Sequence, residues 1–104
     1  MLFGNKLREL REKNGLVLRK VAAILDIDTA TLSKIELGVR QAKRDFLPTF
    51  SKLYNFDLKE LEKLWLTDKV YEIIEDEEQG LNILSEAANE YKKNKKYINE
   101  VYWK

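Results

Sequence analysis

The chain has 104 residues, of which 44% are hydrophobic and 36% are charged, and it contains neither cysteine nor histidine. This composition excludes disulfides, argues against a structural zinc site and fits a helical protein in the cytoplasm. No run approaches the roughly 18 apolar residues of a membrane-spanning helix. The N-terminus also lacks the apolar segment of a signal peptide, so no membrane partner is expected.

The net charge of +1 conceals an asymmetry along the chain. Residues 1–56 carry 11 Lys and Arg against 6 Asp and Glu, residues 57–80 carry 3 against 9, and residues 81–104 carry 5 against 3. The three segments therefore have net charges of +5, −6 and +2. A basic block followed by an acidic one favours an anionic partner such as DNA on one face and a different partner elsewhere. Ordinary solvated surface explains the split equally well.

The first predicted helix covers residues Met1 to Asn14. Its apolar stripe consists of Leu2, Phe3, Leu7 and Leu10. Its basic side carries Arg8, Arg11 and Lys13. The pair Asn14-Gly15 then marks its end, because glycine readily adopts the left-handed conformation that closes a helix.

Two short helices joined by a tight turn are predicted over residues 18–37. The apolar face of the first follows the helical spacing i, i+3, i+4, i+7, with Leu18, Val21, Ala22 and Leu25. Asp28 is placed to cap the second helix by accepting from the backbone of Ala30 or Thr31. Gly38 follows Leu37 where a helix ends in a left-handed conformation. The pattern predicts a helix-turn-helix, whose second helix lies in the major groove of DNA.

Residues 3–66 resemble the Cro/C1-type (XRE-like) helix-turn-helix family of small transcriptional regulators. The residues that carry the resemblance are Gly4, Leu7, Arg8, Arg11, Gly15, Leu16, Ala22, Ile27, Leu32, Ile35, Glu36 and Gly38. The chain departs from the family pattern in the turn, where Asp26 replaces glycine. It also departs at the start of the second helix, where Val17 and Leu18 replace a polar residue and glutamine. The phosphate contact of that position is expected to pass to Arg19.

The resemblance implies an all-α, five-helix lambda-repressor-like domain in residues 1–66. It implies a structural ion pair between Arg11 and Glu36, and the alternative is that Arg11 also touches a phosphate. It also aligns Thr29, Ala30 and Lys34 with the family's base-reading positions.

The second helix of the motif, the recognition helix (residues 29–37), carries the candidate contacts to bases, and the candidate contacts to phosphates lie mostly around it. Thr29, Ala30, Ser33 and Lys34 are the base-reading candidates, because a hydroxyl, a methyl group and an ammonium group match atoms of the major-groove edge. The candidates for phosphate contact are Arg19, Thr31, Arg40, Lys43 and Arg44. For the base-reading candidates, the alternative is that they form only the polar face of a surface helix.

Two further helices complete the first domain. The fourth is expected to start at Asp45 and to hold Pro48 in its first turn. The fifth starts at Leu58 after Asp57, a predicted N-cap. At Thr67-Asp68 the pattern allows either a new helix or a single long one.

Residues 67–104 form a predicted helical extension, whose last helix begins at about Leu81. The apolar residues expected to form a homodimer interface are Leu66, Val70, Tyr71, Ile73, Ile74, Leu81, Leu84, Ala88 and Tyr91. They could instead fold back on the first domain. The tail from Lys92 onward either extends the last helix or forms a mobile basic arm.

The sequence therefore predicts a homodimeric regulator that binds double-stranded DNA at a two-fold operator, and the family resemblance implies that it is a repressor. No cofactor or metal is expected, and no enzyme activity, because no nucleophile or general-base pattern is visible. An antitoxin-like module that binds a second protein through its C-terminal helices is one alternative. A controller of restriction-modification genes is another.

Overall fold

The protein is described by a computed structural model, which gives the backbone of residues 1–102 and the side chains of residues 1–95. All regular secondary structure in this range is helical. The helices are α1 (Leu2–Lys13), α2 (Leu18–Leu25), α3 (Thr29–Leu37), α4 (Leu47–Tyr54), α5 (Leu58–Ile74) and α6 (Gly80–Tyr102), with a 3₁₀ turn at Arg44–Phe46 before α4. None of these helices is long and apolar enough to cross a membrane.

The chain divides into two compact units, Met1–Lys69 and Val70–Lys104. The hydrophobic core of the first unit draws on all five of its helices. Its buried members are Phe3, Leu7, Leu10, Val21, Ala22, Leu25, Leu32, Ile35, Ala42, Leu47, Phe50, Tyr54, Leu61 and Trp65. The predicted apolar stripe of the first helix needs one correction, since Leu2 is exposed. It lies in the first turn of α1, at the edge of this core.

The turns around α3 follow the predicted local chemistry. Asp26 adopts a left-handed conformation with φ +57°, so the turn forms without the family's glycine. Asp28 Oδ1 accepts from the Thr31 N–H at 2.7 Å, which confirms the predicted cap. Gly38 ends α3 in a left-handed conformation with φ +79°. Each of these features depends on residues within a few positions of one another.

The predicted start of the fourth helix is wrong by two residues. The Phe46 N–H donates to Lys43 O in a 3₁₀ turn, and the α-helix begins only at Leu47. Pro48 still lies in the first turn, where its missing N–H leaves no intrahelical bond unmade.

The fifth helix is continuous through Thr67 and Asp68, which decides between the two alternatives. The Thr67 hydroxyl donates to Lys63 O at 2.7 Å, within the helix, instead of capping a new one. In the second unit, α6 begins at Gly80 and its backbone remains helical to Tyr102, so the tail extends the last helix. The prediction for the last two residues of the tail concerns a part of the chain that the structure does not describe.

Candidate nucleic-acid interface

Helix α3 buries one face and presents the other. Leu32, Ile35 and Glu36 are buried against the rest of the first unit. Of the predicted base-reading residues, Thr29, Ala30 and Lys34 are exposed. Ser33 is half-buried and lines a groove with Arg8, Arg11, Leu18, Glu36 and Leu37. The exposed face can therefore offer a hydroxyl, a methyl group and an ammonium group to a groove of DNA.

A buried ion pair joins α1 to α3. Arg11 Nε donates to Glu36 Oε2 at 2.8 Å and Arg11 Nη2 donates to Oε1 at 3.1 Å, so the contact is bidentate. The exposed fractions of the two side chains are only 13% and 5%. The hydrogen bond to Glu36 raises the pKa of the Arg11 guanidinium above its ordinary value. Because both groups are occupied and largely withdrawn from solvent, they position the recognition helix.

The same guanidinium also holds the loop between α1 and α2, because Arg11 Nη1 donates to Leu16 O at 3.0 Å. Tyr54 lies near this ion pair on α4, and its hydroxyl is buried without a hydrogen-bond partner in the described structure. Burial raises the pKa of the Tyr54 hydroxyl to about 12. The Arg11 side chain thus holds α1 to two places, to α3 through Glu36 and to the loop before α2 through Leu16.

Charged groups around α3 include Asp28 at its N-terminus and Lys34 and Arg40 toward its C-terminus. At its N-terminus the hydrogen bond from Thr31 lowers the pKa of Asp28, and the charges of Arg40 and Lys34 lower it further. At its C-terminus the N–H groups of Val39 and Arg40 both donate to Lys34 O, at 3.0 and 3.3 Å. The backbone of Arg40 is therefore tied to the recognition helix, while its side chain is exposed.

The start of α2 is a position suited to a phosphate contact. Val17 occupies the N-cap position and makes no side-chain cap hydrogen bond. Leu18 packs against the core, whereas Arg19 is exposed. A helix N-terminus attracts anions through its free N–H groups and its dipole. An exposed arginine in that first turn adds a full positive charge.

A helix-turn-helix domain family matches residues 4–72, which is about two-thirds of the chain. The chain belongs to this helix-turn-helix family. Its domain is XRE-like and consistent with the Cro/C1-type regulators, as the resemblance implied. The family supports a DNA-binding regulator, and the all-α fold agrees with it. No curated protein and no solved structure gives a significant match to the chain.

Within this helix-turn-helix domain the predicted phosphate contacts differ in their surroundings. Lys43 and Arg40 are exposed and Thr31 is half-buried, and all three line one depression beside α3. Arg44, in contrast, donates from Nη2 to Glu62 Oε2 at 2.9 Å and lies 5.5 Å from the centroid of the Trp65 ring. The structure thus gives Arg44 contacts with α5 that the sequence did not reveal.

Two residues help to position the helix-turn-helix domain through contacts that sequence reasoning did not predict. The Asp68 carboxylate accepts from the backbone N–H of Leu2 at 3.1 Å and of Phe3 at 2.9 Å, so a residue of α5 caps α1. A Cβ added to Gly4 would lie 2.5 Å from Glu36 O, so α1 closely approaches the last turn of α3. The family match at Gly4 was the available signal, whereas Asp68 gave none beyond its capping chemistry.

Proposed function

We propose that the protein is a cytoplasmic transcriptional repressor that binds a two-fold operator as a homodimer and acts by occupancy, without catalysis. The observation that carries this proposal is the recognition helix, whose exposed Thr29, Ala30 and Lys34 are held in place by the buried Arg11–Glu36 pair. These exposed residues form a small reading face on a rigid helix, which suits direct readout of base edges.

The contacts divide into two classes with different consequences. Thr29, Ala30 and Lys34, with Ser33 at the rim, supply base contacts and hence sequence preference. The phosphate contacts come from Arg19, Thr31, Arg40 and Lys43, with Arg44 available only if it leaves Glu62. These contacts set affinity and register, and they make binding depend on salt concentration.

A dimer follows from the small size of one reading face. A single short recognition helix makes few base contacts, whereas two helices about 34 Å apart reach successive major grooves. Large apolar side chains remain exposed at the end of the first domain and beyond it, as expected of an interface. They include Leu66, Val70, Tyr71, Ile73, Leu81 and Tyr91, with Ile74 and Leu84 half-buried and Ala88 exposed.

The test is selection of binding sites from random DNA duplexes by the purified full chain, with the mass of each complex measured in parallel. The proposal expects an enriched inverted repeat bound by two copies of the chain. If no sequence is enriched and DNA binds only after a second protein is added, the homodimeric repressor is wrong. The antitoxin-like function would then be favoured.

A further inference from the structure

Helix α6 carries an apolar stripe with the spacing of a coiled coil. Leu81, Leu84, Ala88 and Tyr91 are separated by three, four and three residues, which are alternating a and d positions of a heptad repeat. Leu81 is 84% exposed and Tyr91 is 64% exposed, whereas Leu84 is half-buried. A stripe of this kind is stabilised when a second helix covers it.

The charges along the second unit identify the chemistry of that helix. Residues 72–78, the acidic segment, contain five carboxylates and no Lys or Arg. Residues 92–96, the lysine segment, contain four lysines and no Asp or Glu. In α6, Lys92 lies twelve positions after Gly80, a distance of about 18 Å at the rise of an α-helix. Along α6, the acidic segment therefore cannot neutralise the lysine segment of its own chain.

We propose that two copies of the chain pair through α6 in antiparallel orientation. Leu81 of one copy lies opposite Tyr91 of the other, and Leu84 lies opposite Ala88. In this register Lys95 extends past Gly80, where α6 of the second copy begins, toward the turn that contains Glu77, so each lysine segment meets the acidic segment of the second copy. The inference rests on the proposed homodimer and adds its segment, its orientation and its register.

The parallel orientation is disfavoured by the same charges. In a parallel pair Lys95, which occupies the next a position after Ala88, would face Lys95 of the second copy in the seam. The two acidic segments would also lie side by side, as would the two lysine segments. The antiparallel pair replaces all of these repulsions with attractions and packs large residues opposite large and Leu84 opposite the small Ala88.

Cysteine cross-linking of the full chain tests the orientation, because the natural sequence has no cysteine. Leu81→Cys and Tyr91→Cys are prepared separately, and both replace exposed side chains. In the antiparallel pair neither variant forms a disulfide with itself, whereas mixing them gives the mixed disulfide, identified by its mass. A parallel pair gives the opposite result, with a disulfide dimer from each variant alone. Asn89→Cys, at an outer heptad position, is the matched control and should remain unlinked.

A charge exchange tests the register. Lys95→Glu and Glu77→Lys should each raise the dissociation constant of the dimer about tenfold, because two ion pairs per dimer become repulsive. The chain with both substitutions should return to within about threefold of the natural chain. Lys93→Glu, at an outer position of α6, is the control and should change the constant by less than about threefold.

The outcomes separate this inference from the proposed function. If the natural chain binds an inverted repeat as a dimer but each cysteine variant links to itself, the antiparallel pair is wrong and the repressor stands. If Lys95→Glu weakens DNA binding with no effect on the dimer, the lysine segment contacts DNA and the inference is overturned. If the natural chain remains monomeric on its DNA, both proposals fail.

Discussion

Gly4 lies where α1 crosses the last turn of the recognition helix, and its lack of a side chain permits that approach. Gly4→Ala would normally stabilise a helix by about 1 kcal/mol. Here the new Cβ would lie 2.5 and 2.6 Å from the carbonyl oxygens of Glu36 and Ile35, which belong to backbone. Overpacking of this kind costs about 1–3 kcal/mol or more. We therefore expect a lower free energy of unfolding, measured by urea denaturation.

The control is Asn5→Ala at the exposed neighbouring position, which should change the free energy of unfolding by no more than about 0.5 kcal/mol. A Gly4→Ala variant as stable as the natural protein would show that α1 and α3 lie further apart than the structure places them.

The Arg11–Glu36 pair should contribute far more than an ion pair at the surface. Glu36→Gln leaves the half-buried guanidinium without its countercharge and should lower the free energy of unfolding by about 3 kcal/mol. Glu12→Gln removes the partner of Arg8, where the two side chains are 60% and 57% exposed, and should cost less than about 1 kcal/mol. Equal losses in urea denaturation would refute the structural role of Arg11.

The exposed cations of the interface are expected to act differently on DNA binding. Lys34→Ala should weaken binding to the selected operator by about 1–3 kcal/mol and relax the sequence preference at one base pair. Arg40→Ala should weaken binding to all DNA sequences alike. It should also reduce the slope of log K against the logarithm of the salt concentration by about one unit. Titrations of operator and unrelated DNA at several salt concentrations separate the two effects. An equal loss on both DNAs for Lys34→Ala would reclassify it as a phosphate contact.

At the scale of elements, α5 caps the N-terminus of α1. Asp68→Ala removes the acceptor of two backbone N–H groups and should cost about 1 kcal/mol, as for loss of an N-cap. In a protein of this size that corresponds to a fall in Tm of about 4–8 °C. Asp68→Asn should retain most of the stability, since asparagine also accepts such bonds. An unchanged Tm for Asp68→Ala would show that this cap contributes nothing to the stability of the protein.

The helices themselves differ in how far their sequence determined them. Helices α2 and α3 each carry an apolar stripe and each end at a left-handed residue, Asp26 and Gly38. Asp28 also caps the start of α3, whereas α2 begins after Val17 without a side-chain cap. The start of α4 did not follow from the sequence, because a 3₁₀ turn and an α-helical turn place similar demands on Arg44–Phe46. The local pattern at Thr67-Asp68 did not decide whether α5 continues, and in the structure the Asp68 carboxylate accepts from the α1 backbone instead of capping a new helix.

At the scale of the whole molecule, the first unit should fold without the second. A chain that ends after Lys69 retains Asp68 and the buried Trp65, whose Nε1–H donates to Ala42 O at 2.8 Å. It should remain helical and monomeric in sedimentation. Its affinity for the operator should fall by at least about 100-fold, because a linked second recognition helix is lost. A truncated chain that still forms dimers would place the interface within the first unit.

The sequence by itself determined the family, the helix-turn-helix and which face of the recognition helix is polar. These features depend on the spacing of residues and on hydrogen bonds within a few positions. Asp26, Asp28 and Gly38 act on their own turns. Only the tertiary structure decided that Gly4 permits a close helix crossing and that Asp68 caps α1. It also decided that Arg44 pairs with Glu62. Such contacts join residues far apart in sequence, so they depend on how the helices pack together, which the pattern within any one helix does not contain.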